Sequence, residues 1–206
     1  MRRNQLDSVL LDSVRKANVQ YEKMTDGYWL WHAPESFVQM AIAAEIHKKL
    51  DVCVYPECTP LGIARDATKA TQLGRPPHTN EQQRFDLVVW WKNQTRPRAI
   101  VEIKLTYASM KGVLSDADKL VSFRKAAVRR GRPRHGYLVV FNSAYRNPEL
   151  DKSRQGAETI RSRFKRVSDQ ITGDFTLVGE YISRESTFGD KLHSFGVAVW
   201  RMDFNN

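Results

Sequence analysis

Residues 84–105, RFDLVVWWKNQTRPRAIVEIKL, constrain the fold more than any other stretch of the chain. Two apolar segments flank a polar turn, and Asp86, Glu102 and Lys104 are set inside the apolar runs. Side chains alternate between the two faces of a strand. Glu102 and Lys104 therefore share a face with Ile100, while Val101, Ile103 and Leu105 take the other. A hairpin turning near Gln94, with Lys92 to Arg96 as its loop, sets Asp86 opposite Glu102. A surface hairpin with a cross-strand ion pair, worth under about 1 kcal/mol, is the plain alternative. Against it, Val88, Val89, Trp90, Trp91, Ile100, Val101 and Ile103 make both faces apolar, as in strands from the middle of a sheet. Charges buried there need a partner or a metal ion.

The chain has 206 residues, 41% of them hydrophobic, and a net charge of +10. That length suits one domain with a sizeable core. The excess of Lys and Arg favours a polyanionic partner, because basic surfaces gain affinity by releasing counterions from phosphates. No apolar run is long enough for a membrane span or a signal segment, so no membrane partner is expected. Cys53 and Cys58 have no zinc-ribbon spacing and fall on one strand facing opposite ways, which reads as reduced thiols in a cytoplasmic protein. The five histidines lack metal-site spacing, and no phosphate-binding glycine loop is present.

In chain order, Leu6, Val9, Leu10 and Val14 mark a packing helix over residues 4–17. Trp29 and Trp31 follow, read as packing before base stacking. Val38, Ile42, Ile46 and Leu50 give a helix over 35–50, opened by Pro34, with Glu35 in its first turn, where a negative charge suits the helix dipole. Glu45 also falls near the buried stripe. Residues 51–59 read as a strand and 60–83 as a long basic loop. After the hairpin, Ser115 is placed to cap a helix running to about Arg130. Arg124, Lys125, Arg129, Arg130, Arg132 and Arg134 crowd its end, more cations than helix capping needs, which points to phosphate contacts. Residues 135–142 form an apolar central strand. A helix over 153–171, with Arg161 and Lys165 on a basic outer face, precedes two strands, 175–182 and 195–202, joined through a turn at Gly189 and Asp190.

Asp86 on one strand and Glu102-Ile103-Lys104 on the next resemble the active-site hairpin of the PD-(D/E)XK nuclease superfamily, with Phe85 where that family's name has proline. The order over residues 35–142 is similar to its α-β-β-β-α-β core. The resemblance implies an α/β fold, a restriction-endonuclease-like core with a mixed central sheet flanked by helices. To this a single domain would add an N-terminal helical extension (1–34) and a C-terminal helix with two strands (143–206). It implies Mg2+, or Mn2+ in its place, held by Asp86, Glu102 and the Ile103 carbonyl. Lys104 would position or activate water, Glu35 would support the site, and Glu45 is the substitute for Glu35. The expected function is hydrolysis of phosphodiester bonds by an endonuclease, in double-stranded DNA before RNA. The competing function is a non-enzymatic nucleic-acid-binding or assembly subunit that keeps the fold. Many relatives work as homodimers so that two sites cut two strands, but no residue pattern here fixes a dimer interface.

Overall fold

The structure, a computed structural model, describes residues 5–69, 83–92, 96–106, 110–127, 132–146, 156–171, 173–188 and 191–204. Helix α1 (Gln5–Met24) buries Leu6, Val9, Leu10, Val14 and Ala17 at three- and four-residue steps. It runs past the expected end because the stripe continues to Tyr21, whose ring meets Phe37 at 5.3 Å. Asp26 and Gly27, both at positive φ, then stop it, and the Gly27 N–H closes onto Glu22 O. A 3-10 turn (Leu30–His32) leads to Pro34 and α2 (Glu35–Lys49). Trp29 is buried edge-on to His193 and Phe195, a packing role.

Strand β1 (Val52–Cys58) is followed by α3 (Pro60–Lys69), so the first ten residues of the expected loop are helical. The cause is local. Thr59 Oγ1 accepts the Gly62 N–H at 3.0 Å, and Pro60 occupies the first helical position, where its missing N–H costs nothing. Residues 70–82 lie outside the described residues. Strands β2 (Phe85–Trp91) and β3 (Pro97–Thr106) form the expected hairpin, and α4 (Met110–Ala126) follows. Ser115 lies inside α4 and caps nothing, since the helix begins five residues before it. Then come β4 (His135–Arg146), α5 (Gly156–Gln170), β5 (Phe175–Ile182), β6 (Ser186–Phe188) and β7 (Lys191–Asp203). The expected turn residues Gly189 and Asp190 fall outside the described set.

The strands form one mixed sheet in the order β1-β2-β3-β4-β7-β5, with β6 paired to β7. The β3–β4 pairing is parallel and the rest are antiparallel. Helices α1 and α2 cover one face, packing on Leu87, Val89, Val101, Ile103, Val139 and Val199. Helices α4 and α5 cover the other, packing on Val88, Ile100, Leu138, Val140, Ala198 and Trp200. Both β3 and β4 are thus interior strands, as their continuous apolar runs require. Each large apolar side chain buried here contributes about 1.5–3 kcal/mol. Among the described residues no helix is long and apolar enough to cross a membrane.

At the β4 start, a polar network fastens α1 to the sheet. Asp7, buried near the start of α1, accepts from Tyr137 Oη at 2.8 Å and from Arg201 Nη1 at 2.7 Å. Asp203 lies 3.3 Å from Arg201 Nε and 2.6 Å from His135 Nδ1. Burial lowers the pKa of His135 and raises that of the Tyr137 hydroxyl, so both are neutral donors at pH 7.

Helix α5 packs tightly against β7 at Gly196. A Cβ there would stand 2.7 Å from Ile160 Cγ2 and 3.0 Å from the Tyr181 carbonyl oxygen. Gly196→Ala is therefore expected to destabilise the protein by about 1–3 kcal/mol through overpacking. The urea midpoint falls while the slope stays constant; an unchanged midpoint would contradict this contact.

Candidate functional site

The hairpin register follows the expected centre at Leu87↔Val101, Val88↔Ile100 and Val89↔Ala99, then slips by one residue at Trp90↔Pro97. Glu102 and Lys104 point toward α4, on the face of Ile100. Next to Leu87↔Val101 the ladder changes character. The Ile103 N–H donates to Asp86 Oδ2 at 2.5 Å, so a side chain takes the acceptor position where the β2 backbone would otherwise pair. Asp86 is thereby tied to the residue between Glu102 and Lys104. The carbonyl of a strand residue points to the same side as its own N–H, so Ile103 O is turned toward Asp86 as well.

On the other side of Asp86, β1 is also irregular. Glu57 has φ 54, a left-handed backbone that a residue with a Cβ adopts at a cost of order 1–3 kcal/mol. The β1–β2 register pairs Pro56 with Leu87 and Cys58 with Phe85, which brackets Glu57 and Asp86. This break changes the strand's alternation. Cys53 and Cys58, expected to face opposite ways, both pack against the α4–α5 side; both remain thiols. Gln39, buried on α2, donates from Nε2 to Glu57 Oε1 at 2.8 Å and to Asp86 Oδ1 at 3.2 Å.

Helix α4 supplies the remaining charges. Lys104 Nζ lies 2.9 Å from Asp116 Oδ2, and Lys119 Nζ lies 2.8 Å from Glu102 Oε1 and 3.9 Å from Asp116 Oδ1. Lys119 also donates to Arg84 O at 2.8 Å. Gly112, one turn before Asp116, lies against the Lys104 stem; a Cβ there would stand 3.4 Å from Lys104 Cε, an ordinary contact distance. Glu102 is only 1% exposed, and neither its Oε1 nor Asp116 Oδ2 accepts an aligned hydrogen bond among the described residues.

The electrostatics follow from this crowding. Burial, reinforced by the charge of Glu35 and only partly offset by the Ile103 N–H, pushes Asp86 up to about 6. Burial and the neighbouring Asp86 raise Glu102 well above the ordinary carboxylate range. For Lys104 burial works the other way, but Asp116, with Glu35 and Asp86, outweighs it and keeps the ammonium protonated above the usual lysine range. Both carboxylate shifts come first from burial, and a cation would oppose them by joining Asp86 and Glu102. Their hard oxygens suit Mg2+, which is usually held by one or two carboxylates with water and substrate oxygens. Among the described residues no group of three or more His, Cys, Asp or Glu side chains is spaced to hold a metal by itself.

Of the residues expected at the site, Asp86, Glu102, Ile103 and Lys104 come together, and Glu35 is close enough for its charge to act on Asp86 and Lys104. Glu45 does not join them; it pairs with Lys16 of α1 at 2.6 Å, which lowers its pKa. Gln39, Glu57, Asp116 and Lys119 are additions. The only trace of the α4 pair in the sequence is Asp and Lys three residues apart on a helix, a common surface pattern.

The expected phosphate-contacting residues divide. Arg132 donates to Ala127 O and Phe204 O, satisfying carbonyls at the end of α4 and beside β7. Arg124 pairs with Asp174 at 2.6 Å. Lys125, Arg134, Arg161 and Lys165 are exposed, Lys165 with Asp169 at 3.2 Å. Arg129 and Arg130 lie outside the described residues.

Asp86 gives a pH dependence of known sign. The unfolded carboxyl loses its proton near 3.8 and the folded one near 6. Between those values the folded chain binds more protons, so stability falls as pH rises through the window. Asp86→Asn keeps an oxygen for the Ile103 N–H and removes the ionisation. In chelator, its stability relative to the wild type is expected to improve by on the order of 2 kcal/mol between pH 4 and pH 7. Urea denaturation at the two pH values measures this, and a pH-independent difference would rule out the raised Asp86.

Compared with models of known families, with curated proteins and with solved structures, the chain finds no match. What the site does is therefore read from its own residues.

Proposed function

We propose that this chain is a metal-dependent nuclease of the restriction-endonuclease-like fold, hydrolysing phosphodiester bonds in DNA before RNA. One observation carries the reading: Asp86 and Glu102, two carboxylates raised chiefly by burial, meet beside Lys104 at the place where β2 and β3 stop pairing backbone to backbone. An isolated buried acid pair is costly unless a cation joins it. The order α2-β1-α3-β2-β3-α4-β4, in which α3 is an insertion between the first two strands, and the parallel pairing of β3 with β4 support the same fold.

Asp86, Glu102 and the Ile103 carbonyl hold Mg2+, for which Mn2+ substitutes. The ion supplies Lewis-acid polarisation of the phosphoryl group. Gln39 and the Ile103 N–H orient the Asp86 carboxylate, leaving its remaining lone pairs for the cation. Lys104, kept as an ammonium by Asp116, stabilises negative charge on the phosphoryl oxygens and orients the attacking water instead of acting as a base. Glu35 adds negative potential from the first turn of α2. Lys125 on α4 and Arg161 and Lys165 on α5 stand on helices covering the face toward which Glu102 points, and track the backbone of the nucleic acid.

One feature favours a second reading. Lys119 and Lys104 already give Glu102 and Asp116 a counter-ion each. A site so balanced suits a nucleic-acid-binding or assembly subunit that keeps the fold without the chemistry. Cleavage of supercoiled plasmid, linear duplex and single-stranded DNA in Mg2+ or Mn2+ separates the two. The nuclease cuts, and Asp86→Ala and Lys104→Ala each lose at least about 100-fold in rate while remaining folded. A Lys104→Ala protein with full activity would sink the nuclease reading; salt-sensitive duplex binding without cleavage would establish the binding subunit.

A further inference from the structure

The pairing between β3 and α4 is crosswise. Glu102 and Lys104 on the strand face Lys119 and Asp116 on the helix, negative to positive and positive to negative. The two halves are not equivalent. Asp116 meets the end of the half-buried Lys104 at 2.9 Å and lies 3.9 Å from Lys119, whereas Lys119 meets Glu102, the most buried carboxyl of the site. The Lys119 side chain is itself only 14% exposed.

Lys119 also reaches a second strand. Its ammonium donates to Arg84 O, two residues before Asp86, and lies 5.4 Å from the Phe85 ring centroid. It thus spans β2 and β3 where the ladder between them opens, with Asp86 following its anchor on one strand and Glu102 as its anchor on the other. An ammonium has three donors and acts as a compact point charge. Here the charge holds a carboxylate oxygen in an ion pair, and a hydrogen bond holds the residue that leads into the strand carrying the second carboxylate.

We propose that Lys119 is a positioning residue for the cation site. By holding Glu102 Oε1 and Arg84 O together, it sets the orientation of Glu102 and its spacing from Asp86, and so determines how tightly the divalent cation is held. The inference rests on the nuclease reading and adds to it a residue that touches neither the substrate nor the reacting atoms. Groups that orient a ligating carboxylate commonly govern metal affinity by about 10–100-fold. A lysine that merely occupied the cation's place would have the opposite sign, since its removal would tighten binding.

The test is Mn2+ affinity, followed by the electron paramagnetic resonance signal of the free ion, on the full chain without nucleic acid. Lys119→Met is expected to weaken binding about 10–100-fold. Lys16→Met, which removes an equal charge from the Glu45 pair on α1, leaves it unchanged. Lys119→Gln keeps a donor for Arg84 O and guards against a Met variant that does not fold; it weakens binding at least about tenfold. Because Lys119 acts through Glu102, Glu102→Gln/Lys119→Met binds no more weakly than Glu102→Gln alone. Wild-type affinity or tighter binding in both Lys119 variants overturns the inference while leaving the nuclease reading intact, and so does additive loss in the double variant. A wild-type protein that binds no Mn2+ overturns the nuclease reading, and this role of Lys119 with it.

Discussion

The buried charge of Glu102 is the interaction on which the arrangement of the site depends. Glu102 is 1% exposed on an interior strand, on a face where Ile100 precedes it and the half-buried Lys104 follows. An ionised carboxylate in such a place costs several kcal/mol unless charges close by compensate it. Helix α4 brings Lys119 to it, and the same helix must then lie close enough to β3 for Gly112 to sit against the Lys104 stem and for Asp116 to take its ammonium. The apolar face of α4, through Val113, Ala117, Leu120 and Phe123, fixes this approach. One helix thus carries core packing and site electrostatics together, one on each side of its inner stripe.

Much of this was legible in the sequence, and what was missed has identifiable causes. The hairpin could be read because alternation and the position of a polar turn set register, which holds until the slip at Trp90 and Pro97. That slip adjoins the turn, where the proline cannot donate to the ladder. Helix α3 was hidden because Thr59-Pro60 reads equally as the end of a strand and as a cap followed by a first helical residue; nearby glycines tipped the reading toward a loop. The partners of Glu102 and Lys104 could not be read at all. Asp116 and Lys119 are ordinary surface residues by sequence, and only the tertiary approach of α4 makes them part of the site.

The basic residues show the same limit from the other side. A dense run of cations invites one explanation for all of them, yet their environments differ. Arg132 spends its guanidinium on backbone carbonyls, as cations at helix ends commonly do. Arg124 is held by Asp174, while Lys125 and Arg161 stay exposed. Net charge predicts the class of partner through long-range potential. It does not predict which cations make the contact, because that depends on which carbonyls and carboxylates the fold has left unsatisfied.

A comparison of the two charged clusters in the interior shows why only one of them resembles a site of chemistry. At the start of β4, Asp7 and Asp203 are matched by Arg201 and by two neutral donors, Tyr137 and His135, and the network joins α1, β4 and β7. Its carboxylates have donors enough, and its work is to fasten a helix to the sheet. Toward the other end of β3, Asp86, Glu102 and Asp116 have two lysines between them, with Glu35 adding to the negative potential. Three carboxylates against two ammonium groups leave one charge unanswered, and it is carried by the pair whose pKa values are raised. A cluster that lacks a positive charge will take up protons or a cation, depending on pH and ion concentration. The β4 network is one positive charge short by the same count, but Tyr137 and His135 donate to its carboxylates, whereas Glu102 Oε1 accepts no aligned hydrogen bond among the described residues. The position of Glu102 with Asp86 beside the broken ladder makes this end of the sheet the place to look for bound metal.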